Sequence, residues 1–419
     1  MKKLVLIDDT MAHKITYYHL LVFVMSLPFD RLYSELTLIS LCIHTLIHFR
    51  KTAGSPFHFS KLLLPVSVYL LTIIGTLYTN YKEEAFYEWE RQLAMLLLPL
   101  IFFFNDFDFK KYRLQVLMGL AFSCFVTIVC LYAHAFMLIR ENHLSVLSFF
   151  NNAFINHNFA APIQMHATYF SMYIALAMVA GVYCLFHAVN KRDRFMYVLL
   201  CMVLLAGLLQ LSSKAVLIAF AFIGNIILPL FFLSGKKRVV CMVATCLFSV
   251  LIFLGLTRVG DLKARFIIGL QEDLTQTGIN NKQIEPRIVR WEAAWELIKQ
   301  SPVYGHGSGS EVALLKEAYY QRKLYNSYLH ELNVHNQYLS MWLKTGILGL
   351  LVLLYVFYAG FRTAVKNRDL LFGCFLIIIA TVSFSENMLD ANKGIFYFSF
   401  FFSLFYLFGA NGKSFTAQK

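Results

Sequence analysis

Residues 257–335 read TRVGDLKARFIIGLQEDLTQTGINNKQIEPRIVRWEAAWELIKQSPVYGHGSGSEVALLKEAYYQRKLYNSYLHELNVH, the only long polar segment in a chain that is otherwise a succession of apolar runs. It follows VCMVATCLFSVLIFLGL at residues 240–256, and another apolar run begins at His335. A polar insert of this length between two such runs describes a membrane bundle with one long excursion out of the lipid.

Composition agrees. The 419 residues are 58% hydrophobic, 16% aromatic and 15% charged, whereas soluble domains carry roughly 25% charged residues. Lipid is therefore the main solvent for the fold. The length alone would suggest two or three soluble domains, but one bundle with an insertion suits the apolar excess better. A net charge of +13 would suit a nucleic acid, yet the basic residues are scattered over the ends of apolar runs. Charges placed there orient a membrane protein, so nucleic acid is excluded as a partner. Cys42, Cys124, Cys130, Cys184, Cys201, Cys241, Cys246 and Cys374 all fall in apolar stretches. They make no disulfide framework or zinc pattern and read as small buried side chains. The chain starts Met-Lys-Lys, and the apolar run from about Ile15 ends without a small-residue cleavage site. The first run is expected to be an uncleaved span.

At about 20 apolar residues per crossing, an all-α integral membrane protein of about twelve transmembrane helices is predicted. Their limits are 15–30, 32–49, 62–79, 92–105, 113–138, 166–188, 195–211, 214–233, 239–256, 335–361, 370–386 and 394–410. The chain then divides into residues 1–256 with nine spans, 257–334 as the extramembrane loop, and 335–419 with three spans. Twelve spans put both termini on one side. The short loops on that side hold Lys2, Lys3, Lys14, Arg50, Lys51, Lys61, Lys110, Lys111, Arg113, Lys191, Arg192, Arg194, Lys236, Lys237, Arg238, Arg362, Lys366, Arg368, Lys413 and Lys419, and the opposite loops only Arg31, Lys82, Arg91, Arg140, Lys214 and Lys393. That bias places the first set in the cytoplasm and the long loop on the outer face. Long loops do not enter the count, so the inference is not circular. No internal repeat is visible.

Within the loop, Pro286 is favoured at a first helical position. Ile288, Trp291, Trp295 and Ile298 then recur at spacings of three and four, which predicts an amphipathic helix over 286–300. Pro302 and glycines 305, 307 and 309 end it in tight turns, and a second helix is expected over Glu311–Tyr325. Tyr81–Arg91, with Glu83, Glu84, Glu88 and Glu90, reads as an interfacial helix, and Arg140–Met165 as an outward segment rich in Asn and His.

Six residues at outward span mouths could carry chemistry. Arg287 and Arg290 lie three apart on one predicted helix, and the planar guanidinium fork matches phosphate oxygens. Lys214 opens a span in Leu211-Ser212-Ser213-Lys214. His335 stands at the mouth of the tenth span, and an imidazole ordinarily titrates near about 6.5 and can act as a base. His166, with Tyr169, opens the sixth span, and Glu386 closes the eleventh with Asp390 just beyond. Taken singly, each also fits a headgroup anchor or a solvated face. An ionisable residue at a span is a functional candidate, and six on one side point to a shared cavity. His330 and His335 are five apart and Glu331 follows the first, so this is not a zinc helix. The glycine run has no strand before it and no Lys-Ser/Thr after it, which makes it turn chemistry.

These motifs carry a resemblance. Arg287-Ile-Val-Arg290-Trp291 followed by Ser301-Pro302-Val-Tyr-Gly305-His-Gly307 resembles the Arg-x-x-x-Trp…Pro-x-x-Gly-x-Gly signature of the O-antigen ligase and polymerase superfamily. His335-Asn336-Gln-Tyr-Leu with Lys344-Thr-Gly346-Ile-Leu-Gly349-Leu is similar to its His-Asn-x-Tyr-Leu…Gly-x-x-Gly-Leu stretch. The likeness covers roughly residues 195–361. It implies a GT-C-like membrane glycosyltransferase with a periplasmic helical loop, in the bacterial inner membrane. Such an enzyme moves a glycan from undecaprenyl pyrophosphate to an acceptor such as lipid A-core, with no nucleotide sugar, cofactor or metal. By the same resemblance Arg287 engages the pyrophosphate, His335 is the catalytic base and Lys214 takes a substrate-binding position, while Arg290, His166 and Glu386 are expected around the substrate from their own outward placement. Two positions depart from the pattern: Lys214 stands where the family shows Arg, losing the fork, and Lys344 stands where an acid is expected. Ligase, polymerase and protein O-oligosaccharyltransferase share this chemistry and differ in acceptor. A flippase or transporter would show mid-span polar residues and repeated halves, whereas here mid-span charges are nearly absent and the halves do not match.

Overall fold

In hydrocarbon no water is at hand to satisfy the backbone, and helix is the local solution open to an apolar run. In the computed structural model, which describes residues 6–49, 56–268 and 285–409, all twelve runs are helical. The helices used below are α1 (Met11–Ser26), α2 (Arg31–Ile47), α3 (Pro56–Tyr78), α4 (Lys82–Gln92), α5 (Ala94–Phe104), α6 (Phe109–Glu141), α7 (Ala167–His187), α8 (Lys191–Leu211), α9 (Lys214–Phe232), α10 (Gly235–Leu256), α11 (Arg287–Gln300), α12 (Ser310–Gln321), α13 (Gln337–Asn367), α14 (Leu370–Val382) and α15 (Asn392–Leu407). Among the described residues there is no strand, only an isolated bridge between Phe49 and Asn105. Lys2, Lys3, Arg50, Lys51, Lys413 and Lys419 of the charge count lie outside the described residues, as does 269–284 of the loop.

Seven of these helices are long and apolar enough to cross a membrane: α3 (over Ser60–Tyr78), α6, α7, α8, α9, α10 and α13. The other expected spans form shorter helices of 16, 17, 11, 13 and 16 residues, α1, α2, α5, α14 and α15. Polar groups cut them short. Asp30 caps α2 by accepting from Leu32 N–H at 2.8 Å. The helix of α14 ends at Val382, where the carbonyl of Ser383 accepts from Gln337 N–H at 2.8 Å.

Burial sorts the bundle. The helices α7 and α15 are apolar on all sides and buried almost throughout, so they form its centre. Tyr173 and Tyr397 meet there with ring centroids 5.0 Å apart, and each hydroxyl donates to a backbone carbonyl, of Lys393 and Met172. By contrast α10 buries no residue, and Val243, Leu247, Leu251 and Leu254 stand exposed on it. Lipid is the solvent those side chains require.

The polar insert has a small core of its own. Val289, Ala293, Leu297 and Ile298 of α11 pack with Leu315 and Tyr319 of α12, Val334 and Leu343. The second loop helix stops at Gln321, short of the expected Tyr325, because Lys323 turns left-handed (φ 58°). A one-turn helix restarts at Tyr325–Leu329, its Asn326 and Ser327 N–H groups taken by the Glu285 carboxylate at 2.9 and 2.8 Å.

The glycine run does act as turn chemistry, and it is also a docking surface. The α13 helix breaks at Thr345–Gly346, where Gly346 has φ 67° and ψ −168°. The loop presses into this break: His306 and Gly307 N–H donate to the Leu343 and Lys344 carbonyls, and Ile347 N–H donates to Pro302. A side chain at 346 would lie 1.9 Å from the Val303 carbonyl oxygen. Replacing Gly346 by Ala forces a backbone region almost confined to glycine, at about 1–3 kcal/mol before the clash is counted. We expect Gly346→Ala to lower the apparent Tm in detergent by several degrees. Gly224→Ala, whose added carbon would meet nothing within 4 Å, should leave it unchanged.

Candidate active site

The Arg-x-x-x-Trp motif puts two side chains one turn apart on α11, the first reaching the segment after α14 and the second the segment before α13. Arg287 Nη2 lies 3.6 Å from Glu386 Oε1. Trp291 Nε1 donates to the Val334 carbonyl at 3.1 Å, tethering the residue before His335. Residues four apart share a helix face, so this spacing lets one helix hold a cation and an anchor together.

Glu386 is the meeting point. Its Oε2 lies 3.3 Å from His335 Nδ1. Its Oε1 accepts from Thr168 Oγ1 at 3.5 Å, and Ser213 Oγ lies 3.5 Å from the same hydroxyl. Burial raises the Glu386 carboxyl, but the His335 hydrogen bond and the charges of His166, His335 and Arg287 outweigh it, leaving it below the ordinary carboxylate range. In the neutral tautomer that donates from Nδ1 to Glu386, His335 keeps a lone pair on Nε2. The His335 backbone is left-handed at φ 50°, a conformation that costs a side-chain-bearing residue about 1–2 kcal/mol. Gln164 and Ser212, at the entrances to α7 and α9, share that region.

His166 caps α7 just outside it, accepting from Thr168 N–H at 3.3 Å. Its ring stands 4.3 Å from that of His157 and 5.3 Å from that of Tyr169. Burial pushes His166 below the ordinary imidazole range; Glu386 opposes the shift, and His335, Arg287 and Arg265 reinforce it. The structure thus brings Arg287, His335, Glu386 and His166 together. Lys214 opens α9 next to Ser213, one residue from the hydroxyl chain leading to Glu386. Arg290 belongs to the buried face of α11, only 5% exposed, and its charge acts on the Tyr319 phenol. Sequence reading missed Arg265, whose Nε donates to the Ser212 carbonyl at 3.1 Å, as well as His157, Thr168 and Ser213. Nothing in their local sequence sets them apart; only the fold gathers them around His166, Ser212 and Thr168.

The unexpected Lys344 finds its explanation beneath this group. Its Nζ lies 2.7 Å from Asp390 Oδ1, 3.4 Å from Glu88 Oε1 and 4.0 Å from Glu311 Oε2. One ammonium thus serves three buried carboxyls from α4, α12 and the segment before α15. Burial raises Glu88 and Glu311, while Asp390, raised by burial too, is held down overall by Lys344 and Ser340. Glu311 also accepts from Val334 N–H at 3.1 Å, Asn387 Nδ2 at 2.7 Å and the Ser340 hydroxyl. Val334 precedes His335 and Asn387 follows Glu386, so Glu311 grips both catalytic candidates by their chain neighbours. Asn387 Oδ1 in turn accepts from Asn336 N–H at 2.8 Å.

A cleft of about 400 Å³ opens beside these residues, lined by His166, Tyr169, Arg31, Arg91, Asp390 and Lys393. It shares Arg31, Arg91 and Asn392 with a groove of about 700 Å³ between α2, α4 and α5, whose walls include Leu38, Ile39, Leu93 and Leu97. The site therefore adjoins a path with a polar end and an apolar end.

This geometry meets an independent likeness. A protein-family profile described as "O-Antigen ligase" matches residues 165–354, which run from the entrance of α7 through most of α13. Over that stretch the chain is similar to O-antigen ligases, and its seven long apolar helices suit a multi-pass membrane protein. A relative from Haemophilus influenzae, described as an uncharacterized protein, is 24% identical over 358 residues, covering 81% of this chain and 84% of its own length.

Two outcomes follow. Lys344→Met strands three buried carboxyls, and losing one partner of a buried ionic group costs about 3–5 kcal/mol. The apparent Tm in detergent should fall by several degrees, whereas Glu88→Gln, which removes one like charge, should leave it unchanged or higher. For His166 the unfolded chain binds a proton below pH 6.5 that the folded chain refuses. Stability therefore drops as pH falls through and below about 6.5, the ordinary imidazole range. Replacing His166 by Gln should flatten that part of a Tm-against-pH curve.

Proposed function

We propose that this protein is an inverting glycosyltransferase of the bacterial inner membrane, moving a glycan from undecaprenyl pyrophosphate to an acceptor hydroxyl on the periplasmic side. Ligation of O-antigen to lipid A-core is the reaction we assign. The observation that carries the reading is the Glu386 carboxylate shared between His335 and Arg287. It puts a candidate base and a candidate phosphate-binding fork on two sides of one buried anion.

In the proposed step His335 Nε2 takes the proton of the acceptor hydroxyl. The oxygen forms a bond to the anomeric carbon as the bond from that carbon to the pyrophosphate breaks, and the electron pair leaves with the phosphate oxygen. Glu386 stabilises the imidazolium that results, as a carboxylate does in a catalytic triad. Arg287 faces the leaving pyrophosphate, and Lys214 and Arg265 supply further positive charge near the mouths of α7 and α9. Arg290 contributes by holding α11 in place. Such preorganised charges each supply a few kcal/mol, and a positioned base about 10²–10⁴-fold. The step calls for no cofactor or metal. Polyprenyl and acyl chains take the apolar groove along α2 and α5, and the five shorter helices complete a twelve-span, GT-C-like bundle with the loop on the periplasmic face.

The test uses purified protein with a lipid-linked glycan donor and lipid A-core. His335→Ala should lower transfer by about 10²-fold or more while the protein stays monodisperse and folded; normal transfer would remove the imidazole from the mechanism. Arg287→Ala should lower turnover of the same donor by a comparable factor, about 10²–10³. In a deletion strain, lipopolysaccharide without long chains and with lipid-linked polymer accumulating is the expected ligase pattern. Core carrying a single repeat would indicate a polymerase instead.

A further inference from the structure

A large cavity lies away from the site above, at the basic ends of the spans. It holds about 1030 Å³ between α6, α7, α9, α13 and α14, just above the range of small-molecule pockets, about 300–1,000 Å³. Its walls are apolar, with Phe222, Ile227, Leu230, Phe232, Phe361 and Ile377 among them. Its rim carries Arg113, Arg238 and Arg368, and among the described lining residues Asp369 is the one carboxylate.

That carboxylate is committed. Arg113 grips Asp369 with both terminal nitrogens, at 2.5 and 2.9 Å, and a bidentate pair of this kind is strong and fixed in geometry. Three guanidinium groups less one carboxylate leave an excess of two positive charges on the rim. Arg238 is anchored by its Nε to the Leu233 carbonyl at 2.9 Å, a bond that does not use its two terminal nitrogens. Arg368 is exposed at the left-handed end of α13 (φ 49°).

The wall itself is built to be open. The α9 helix passes through a π-turn at Ile223–Ile227, closed by Leu228 N–H donating to the Ile223 carbonyl. Pro229 follows and has no N–H to give to the carbonyl four residues back. The π-turn and Pro229 thereby widen α9 where Phe222 and Ile227 face the cavity, and such bulges recur at functional sites. Phe186 stacks on Phe232 at 4.1 Å and 9°, making a flat apolar side to the same space.

We propose that this cavity is a binding site for an anionic phospholipid. The acyl chains lie along the aromatic and aliphatic wall between α9, α13 and α14, and the headgroup phosphate sits between Arg238 and Arg368. A basic pocket between membrane helices with an apolar interior suits that class of lipid, whereas a water-soluble anion has no use for the apolar wall. The charge bias of the short loops puts this end in the cytoplasm, so the lipid comes from the inner leaflet. This inference is independent of the transfer chemistry at His335.

The test needs no variant at first. Full-length protein is stripped of lipid in detergent, and its apparent Tm is read with phosphatidylglycerol, phosphatidylethanolamine or inorganic phosphate added. Phosphatidylglycerol should raise the Tm by several degrees, and the other two by little or nothing. Native mass spectrometry of the gently purified protein should show a retained anionic lipid. The double variant Arg238→Ala, Arg368→Ala should lose that adduct about tenfold, while its glycan transfer is read separately. Equal stabilisation by phosphatidylethanolamine or by phosphate alone would overturn the proposal, as would an undiminished adduct in the double variant. Because the phosphatidylglycerol comparison uses the native chain, a variant that failed to fold would still leave a decision.

Discussion

Lys344 sits on a membrane-crossing helix with Asp390, Glu88 and Glu311 around its ammonium. A charge in that position is costly unless it is paired and hydrogen-bonded, and the four groups come from four separate parts of the chain. The helix α4, the loop helix α12, the broken span α13 and the segment leading into α15 can therefore be brought together in few ways. This one constraint fixes the height at which the polar insert meets the bundle. The glycine run is its steric counterpart, seating in the break of α13 through backbone hydrogen bonds. Charge and shape thus secure the same joint from its two sides.

The candidate catalytic groups sit on the edge of that joint. Glu311 acts on His335 and Glu386 through their chain neighbours, holding the residue before the first and the residue after the second. A buried ionic cluster of this kind adds little net stability by itself. Its value here lies in register, because it sets how the imidazole and the carboxylate face each other. The left-handed backbone of His335 is compatible with this, since a strained residue persists only where its surroundings determine it strongly.

Much of this could be read from the chain. The apolar runs gave the helices because hydrocarbon leaves the backbone few alternatives. Arg287 and His335 stood out because a polar insert bounded by spans confines the places where charge can collect. Lengths were less legible: α5 and α14 read as spans from their composition, but they form helices of 11 and 13 residues, because polar turns such as Ser383–Asn387 end them. Arg290 looked like a twin of Arg287 at a spacing of three, yet 60° around a helix separates a cleft from a core, and it is buried beside Ala293 and Ala294. Lys344 was a misfit while its partners were scattered over about 300 residues of sequence. Arg265, Thr168 and Ser213 converge only through tertiary contacts, which local pattern does not encode.

The shared turn of α11 has a mechanical consequence. Arg287 and Trp291 ride on one rigid segment, the first meeting Glu386 and the second hooked to the carbonyl before His335. Any tilt of that segment shifts the guanidinium and the tether of the imidazole at once. The two halves of the site therefore rise and fall as a single lever, and a ligand that pulls on one end is felt at the other.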